Sequence, residues 1–169
     1  MLMKYIAYFI IALSLAHLQA FSKNGECLQQ IYACEYYSCK IKETECDHGY
    51  LPDYALHYCT EMTEQLNPTL SQDGQIWLKQ AAQCLRNKME NFENPLNCEE
   101  FATMAYNSHA PCYADHGFCD LSLRDLSLIF IYLKHEWLNP KTWIVFHKIL
   151  NLCSQKKEVA KDDLLESDS

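Results

Sequence analysis

The chain has 169 residues, a formal net charge of −8, ten cysteines and only four glycines. An acidic protein is poorly suited to nucleic acid or to an anionic membrane surface, whose phosphates attract basic side chains. The charge would suit a basic partner surface, although ordinary solubility produces the same balance. An even number of cysteines is typical of disulfide-bonded proteins from an oxidising compartment.

The N-terminus is predicted to be a secretory signal peptide, residues 1–20. One positive charge, Lys4, precedes an apolar run of about ten residues, which is shorter than the ~20 residues of a membrane-spanning helix. Small residues favour cleavage after Ala20 or Ser22, which leaves 147 to 149 residues with a net charge near −9. A retained signal anchor is the alternative. No later apolar run could cross a bilayer, so we expect a secreted, extracellular protein without a membrane span.

Three helices are predicted in the first half of the mature chain. Cysteines and apolar residues from Cys27 recur at spacings of three and four, which is one face of a helix. Pro52 suits the first turn of a second helix, and the residue before Pro68 disfavours its continuation. Ser71 or Asp73 is a candidate N-cap for the third helix. The predicted helices run from Cys27 to about Lys40, from Pro52 to Asn67, and from Ser71 or Asp73 to about Met89, with a loop between Lys40 and Gly49.

A frame of three cysteines, Cys98, Cys112 and Cys119, lies at the centre of the second half. An apolar stripe at helical spacing follows Cys98, and a short loop closed by cysteines runs from Cys112 to Cys119. The Asn94-Pro95 pair would start this helix, and Pro111 would end it. The pattern indicates a helix that disulfides hold at its end. The stripe consists of Phe101, Ala102 and Ala105.

Two amphipathic helices are predicted in the C-terminal part of the chain. Ser122 and Asp125 approximate a capping box at the start of the first, and Asn139-Pro140 opens the second after a two- or three-residue turn. We expect the two helices to form an antiparallel hairpin. The charged residues that follow, 156–169, are predicted to be a disordered acidic tail. The predicted core faces are Leu123, Leu126, Phe130, Leu133 and Trp137 in the first helix, and Trp143, Phe146, Leu150 and Cys153 in the second.

These patterns together predict the fold class. It is all-α, a disulfide-stabilised domain of about five to six helices that ends in a helical hairpin. Residues 23–155 would form this single domain. No stretch shows the clean alternation of apolar and polar residues that a sheet requires.

The sequence contains no established catalytic motif. His48 and His116 lie in matching Asp-His-Gly-aromatic quartets, and an Asp-His pair could polarise a water molecule. A turn is the more ordinary explanation of such quartets. The closest cysteines, Cys34 and Cys39, are too far apart for the Cys-x2-Cys pairs of a zinc site. We expect no enzyme and no catalytic, cofactor-binding or metal-binding residues; a hydrolase that uses Asp115 and His116 is the remaining alternative.

Cysteine spacing and a few short segments carry a family resemblance. They are Gly74-Gln-Ile-Trp-Leu-Lys79 before Cys84-Leu-Arg-Asn87, Cys98-x2-Phe101-x2-Met104 before Cys112-Tyr113, and then Cys119 and Cys153. Over roughly residues 25–154 the chain resembles stanniocalcin, a family of secreted helical glycoprotein hormones. The resemblance implies hormone activity in calcium and phosphate homeostasis, or inhibition of a secreted metalloproteinase. The partner would be an extracellular protein receptor or that metalloproteinase.

The resemblance also implies a disulfide pairing and an oligomeric state. The family has an eleventh cysteine that joins two chains, and no cysteine follows Cys153 here. We therefore expect no covalent dimer, while a non-covalent homodimer stays open. The family's glycosylation sequon is replaced by residues 40–45. The implied pairs are Cys27–Cys39, Cys34–Cys59, Cys46–Cys84, Cys98–Cys112 and Cys119–Cys153.

The alternative function is a secreted helical binding module for a lipid or another small apolar ligand. Methionine and aromatic residues at helical spacing are expected to form the core, but they could also line a cavity between the helices. An internal cavity and a co-purifying ligand would distinguish this alternative. Glu90, Glu93, Glu99 and Glu100 are candidates for an interaction surface by charge alone, and a solvated face explains them equally.

Overall fold

The structure is a computed structural model that describes Cys27 and residues 33–92 and 97–167. Six α-helices account for most of these residues, and no β-strand occurs among them, which confirms the all-α prediction. None of the described helices is long and apolar enough to span a bilayer. The predicted signal peptide lies outside the described residues. The helices are α1 (Glu35–Thr44), α2 (His57–Glu61), α3 (Gln72–Glu90), α4 (Cys98–Asp115), α5 (Leu123–Tyr132) and α6 (Pro140–Ser167).

The helical stretch around α2 is longer than α2 alone. Wider π-helical turns precede and follow it, at Tyr50–Leu56 and Met62–Leu66, and a 3-10 turn at Asn67–Thr69 ends the stretch. Gly49 precedes the stretch with a φ of 84°, a backbone conformation that favours glycine. The helix predicted from Pro52 to Asn67 is therefore present, with irregular turns at both ends.

Three helix starts follow the predicted capping residues. The Ser71 hydroxyl accepts a hydrogen bond from the Gly74 N–H at 3.2 Å, at the start of α3. At the start of α5, the Ser122 hydroxyl accepts from the Asp125 N–H at 3.1 Å. Asn139 accepts from the second residue of α6 at 3.0 Å. Each cap satisfies an N–H group that has no partner inside its own helix.

The helix α4 ends later than predicted. Its N-cap is Asn97, while the predicted start at Asn94-Pro95 lies outside the described residues. The helix then continues through Pro111, so the predicted end before this proline is wrong. Proline removes one helical hydrogen bond, but a disulfide from Cys112 to α3 holds the last turn of α4 in place. Tertiary packing therefore outweighs the local cost of the proline.

The helix α1 begins at Glu35, later than the predicted start at Cys27, because Ala33 and Cys34 lie in a bend and a turn, and it also ends later than predicted. It continues past Lys40 to Thr44, into the predicted loop, and ends where Glu45 adopts a left-handed conformation with φ of 57°. Lys40 is buried, and its Nζ lies 3.0 Å from Oε1 of Glu90 in α3. This ion pair holds the second half of α1 against the core, so the chain stays helical there.

The helix α6 continues to Ser167, across most of the predicted disordered tail at residues 156–169. No glycine or further proline follows Pro140, and the lysine, glutamate, alanine and leucine residues of this segment favour a helix. The Lys156 ammonium donates to the carbonyl of Ala114, at the end of α4, at 2.7 Å. The prediction of disorder is therefore wrong for the residues up to Ser167.

Two apolar clusters form the core of the described residues. The first joins α1, the turn before α2 and parts of α3 and α4; the second joins α3, α5 and α6. Three predicted core residues are exposed: Leu123 is 84% exposed, Trp143 48% and Leu150 47%. Ile129 and Ile149 are buried instead. Because α5 and α6 carry apolar residues on several faces, periodicity alone did not select the buried face.

The helices α5 and α6 form the predicted antiparallel hairpin, but the predicted two- or three-residue turn is wrong, because α5 ends at Tyr132 and a 3-10 turn at Lys134–Leu138 leads to α6. The rings of Phe130 and Phe146 lie 5.3 Å apart near the turn. Further from the turn, Cys119 just before α5 is bonded to Cys153 in α6. The helix α6 also packs along much of α4, so the hairpin is joined closely to the rest of the domain.

Candidate functional site

Five disulfides tie the helices together, and no cysteine of the described residues is free. Three of the pairs are those that the resemblance implies. The other two implied pairs are wrong, because Cys46 is bonded to Cys98 and Cys84 is bonded to Cys112. The five bonds are Cys27–Cys39, Cys34–Cys59, Cys46–Cys98, Cys84–Cys112 and Cys119–Cys153.

The packing of α3 against α4 explains the two exchanged pairs. Cys98 and Cys112 lie at opposite ends of the single helix α4, and a rise of ~1.5 Å per residue separates them by about 21 Å, which no disulfide can bridge. Cys84 in α3 instead faces Cys112, with the Cα atoms 5.6 Å apart. Cys46, after α1, lies beside the start of α4, where its Cα is 5.6 Å from that of Cys98.

The two Asp-His-Gly quartets differ in structure. His48 Nδ1 lies 2.7 Å from Asp47 Oδ1, and this hydrogen bond lowers the pKa of Asp47, but both side chains are fully exposed. His116 Nδ1 donates to the carbonyl of Cys112 at 2.9 Å, and Asp115 pairs with a lysine of α6. The pair that the hydrolase alternative requires is therefore not assembled. Within the described residues, no group of three or more His, Cys, Asp and Glu side chains could hold a metal ion.

The four acidic candidates have different surroundings. Glu90 is held by its ion pair with Lys40 and serves the core of the domain. Glu99 and Glu100 are exposed in the first turn of α4, where negative charge favours the helix dipole. Glu93 lies outside the described residues. Of the four acidic candidates, only Glu99 and Glu100 are shown to be exposed by the described part of the structure.

A buried carboxylate joins the starts of α3 and α5. Asp125 is 0% exposed and accepts hydrogen bonds from the N–H and hydroxyl of Ser71 and from the hydroxyl of Ser122. Burial by itself raises the pKa of Asp125, but the hydrogen bonds from Ser71 and Ser122 outweigh it, so the pKa is lowered. Gly74 lies directly against this group, and a Cβ there would be 3.1 Å from Asp125 Cγ. The hydrogen bonds from Ser71 join α5 to α3, and Arg124 Nη1 of α5 itself lies 3.6 Å from Asp125 Oδ1.

Four tyrosines surround one buried histidine. Nδ1 of His109 donates to a backbone carbonyl one turn earlier at 2.9 Å, which leaves Nε2 as an acceptor 3.5 Å from the Tyr50 hydroxyl. Burial lowers the pKa of His109 to about 4, so the ring is neutral at physiological pH. The rings of Tyr50, Tyr54, Tyr106 and Tyr113 lie between 5.4 and 6.0 Å from the imidazole.

An apolar pocket of about 70 Å³ lies beside this aromatic cluster and is partly open to solvent. All three tryptophans of the chain line it. Their indole N–H groups donate to backbone carbonyls of the protein itself. The hydroxyl of Thr142 is buried there without a hydrogen-bond partner. The lining residues are Tyr54, Met62, Trp77, Tyr106, His109, Tyr113, Phe118, Ile129, Phe130, Leu133, Trp137, Thr142, Trp143, Val145, Phe146 and Ile149.

Exposed apolar side chains are concentrated in the C-terminal hairpin. Eight large hydrophobic residues are exposed among those described, and seven of them lie between Leu123 and Val159. Trp143 and Leu150 share one face of α6, because seven residues make nearly two helical turns. The seven are Leu123, Ile131, Leu138, Trp143, Ile144, Leu150 and Val159, and the eighth is Ile76 in α3.

Sequence reasoning missed the aromatic cluster, and it anticipated a cavity between the helices only as an alternative, without its position or its lining residues. One signal was present, because Tyr50, Tyr54 and Tyr58 recur at a spacing of four and so share one helical face. Nothing in the sequence connects these residues with His109 in α4 or Thr142 in α6. The pocket arises only when four helices and the stretch around α2 pack together.

Comparisons with models of protein families, with curated proteins and with solved structures find no match to this chain. The similarity to stanniocalcin therefore stays a resemblance based on short segments and cysteine spacing.

Proposed function

We propose that this protein is a secreted signalling protein of the stanniocalcin kind, which acts by binding another extracellular protein. One observation carries the proposal: the exposed apolar side chains of the described residues are concentrated in the α5–α6 hairpin. Large apolar residues exposed in one region of a small domain are typical of protein-interaction surfaces. We call Ile131, Ile144 and Leu150 the hairpin surface; they are 60%, 56% and 47% exposed.

The disulfides support the secreted state. Five disulfides in a chain of this size are typical of extracellular proteins, because cytosolic thiols are kept reduced. One bond, Cys119–Cys153, links the segment before α5 directly to α6. It therefore restricts the motion of the hairpin. A rigid apolar surface binds a partner at a lower cost in conformational entropy than a mobile one.

The partner would be an extracellular protein receptor or a secreted metalloproteinase. The resulting activity would be control of calcium or phosphate transport, or inhibition of proteolysis. The net charge of −8 favours a partner with basic residues around the apolar contact, since complementary charge speeds association. No small-molecule substrate is needed for either activity.

The test uses a variant in which the three residues of the hairpin surface are replaced together by serine. Purified wild-type protein is added to epithelial cell layers, and the transport of radiolabelled calcium and phosphate is measured. In parallel, the protein is added to conditioned medium, and the activity of secreted metalloproteinases is measured. We expect the wild type to change at least one of these activities and the triple variant to lose most of the effect.

The matched control is Ile76→Ser, because Ile76 is 46% exposed but belongs to α3 and not to the hairpin. This variant should behave as the wild type does. Circular dichroism and the unfolding midpoint confirm that both variants remain folded. No effect of the wild type on either activity, or equal loss in the control and the triple variant, would refute the proposal.

A further inference from the structure

The pocket beside the aromatic cluster has the character of a ligand site rather than of a packing defect. A water molecule needs about 10–15 Å³ of such space, and this pocket has about 70 Å³. Its walls are almost entirely aromatic and aliphatic, so water inside it would find few partners. Apolar cavities of that kind are the ones that take up small apolar molecules.

The polar atoms of the pocket define what a ligand must offer. The indole N–H groups of Trp77, Trp137 and Trp143 are already bound to carbonyl groups of the protein. The hydroxyl of Thr142 is different, because it is buried and no protein group bonds to it. A buried hydroxyl without a partner is costly, and a ligand that supplies the missing hydrogen bond would recover that cost.

The charges of the pocket exclude an ionic ligand. Apart from His109, no acidic or basic side chain lines it. His109 is neutral, because burial lowers its pKa to about 4. Glu136, from the turn before α6, is nearby but already accepts hydrogen bonds from Tyr58 and Asn139. Lys141 Nζ lies 5.1 Å from the centroid of the Tyr106 ring but does not line the pocket. An ion inside the pocket would therefore lose its hydration without a counter-charge in the walls.

We propose that the pocket binds a small neutral molecule of about one aromatic ring with a single hydroxyl group, which hydrogen-bonds to Thr142 Oγ1. The enclosed volume is about half of the ~150 Å³ cavity that takes up benzene, but the pocket is partly open to solvent, so a ring can lie partly inside it. Its aromatic walls suit a ring, since aromatic rings pack favourably against one another edge to face. The proposal is independent of the signalling function above, because none of the hairpin-surface residues lines the pocket.

Three probes of similar size test the proposal: phenol, toluene and benzoate. Binding is measured by ligand-observed NMR titration and by the tryptophan fluorescence of the protein, since every tryptophan of the chain lines the pocket. We expect phenol to bind more tightly than toluene, and benzoate not to bind. Thr142→Val keeps the shape but removes the hydroxyl, so it should weaken phenol about tenfold and leave toluene unchanged.

A matched pair of variants in α6 tests the location. Val145 lines the pocket, and Val145→Trp should fill it and abolish the binding of phenol and toluene. Its neighbour Ile144 is exposed and does not line the pocket, so Ile144→Trp should bind both probes as the wild type does. The proposal is overturned if neither probe binds the wild type, or if Thr142→Val leaves the preference for phenol intact. Equal binding by the two tryptophan variants would also overturn it.

Discussion

His109 links the aromatic cluster to the pH dependence of stability. Its pKa is lowered from 6.5 in an exposed histidine to about 4, because the ring is buried. Between these two pH values the unfolded chain binds a proton that the folded protein does not, so acidification favours unfolding. The contribution of His109 to the free energy of unfolding is fully present above pH 6.5 and is lost as the pH falls toward 4.

We therefore predict that the wild type loses about 3 kcal/mol of unfolding free energy from His109 between neutral pH and pH 4. The His109→Gln variant lacks this proton-binding group, so its stability should depend less on pH over that interval. Guanidinium-induced unfolding of the disulfide-intact protein, followed by circular dichroism at several pH values, measures both. Equal pH dependence in the two proteins would show that His109 is accessible to protons in the folded state.

Asp125 makes a second contribution to the pH dependence of stability, in a more acidic pH range than that of His109. Its pKa is lowered by hydrogen bonds from Ser71 and Ser122, so its stabilising effect is present above the ordinary carboxyl pKa and is lost as the pH falls below it. We predict that Asp125→Asn destabilises the protein at neutral pH by about 1.5 to 3 kcal/mol, the usual worth of hydrogen bonds to a charged group. Thermal unfolding compared with the exposed control Asp120→Asn measures this. Equal stability of the two variants would mean that the carboxylate does not join α3 to α5.

At the scale of the elements, the starts of α3, α5 and α6 were predicted well, whereas α1 begins at Glu35 and not at Cys27, α4 is capped by Asn97 and not by Asn94, and helix ends were predicted poorly. Ser71, Ser122 and Asn139 cap their helices because a side-chain cap is a local interaction between neighbouring residues. The end of a helix depends on what the last turn packs against. Pro111 does not end α4, because a disulfide from the next residue holds the chain to α3.

Which face of a helix is buried also depends on tertiary structure. The segment from Leu126 to Leu133 is apolar at most positions. Several faces of α5 are therefore apolar enough to be buried in the core. The structure buries Ile129 and leaves Leu123 exposed. The lining of the pocket could not be predicted for a related reason, because its walls come from elements that are far apart in the sequence. Thr142 becomes a candidate ligand-binding residue only once its hydroxyl is seen to lack a partner.

At the scale of the whole molecule, every helix except α5 contains at least one disulfide-bonded cysteine. The bonded Cys119 lies just before α5. Each bond contributes roughly 2–4 kcal/mol by restricting the unfolded chain. Two of them hold both ends of α4: Cys46–Cys98 joins its start to the segment after α1, and Cys84–Cys112 joins its last turns to α3. They make α4 the common support of the aromatic cluster and of the hairpin that packs along it.

The most direct test is a disulfide map of the protein that cells secrete into the medium. Trypsin and cyanogen bromide, used without reduction, leave Cys84 alone in the fragment 80–86 and Cys98 alone in the fragment 90–104. We predict by mass spectrometry that fragment 80–86 is joined to fragment 105–124, and fragment 90–104 to fragment 43–62. Fragment 80–86 joined to 43–62 would contradict the Cys84–Cys112 and Cys46–Cys98 bonds, and free thiols or retention of the protein inside the cells would contradict a secreted, disulfide-held domain.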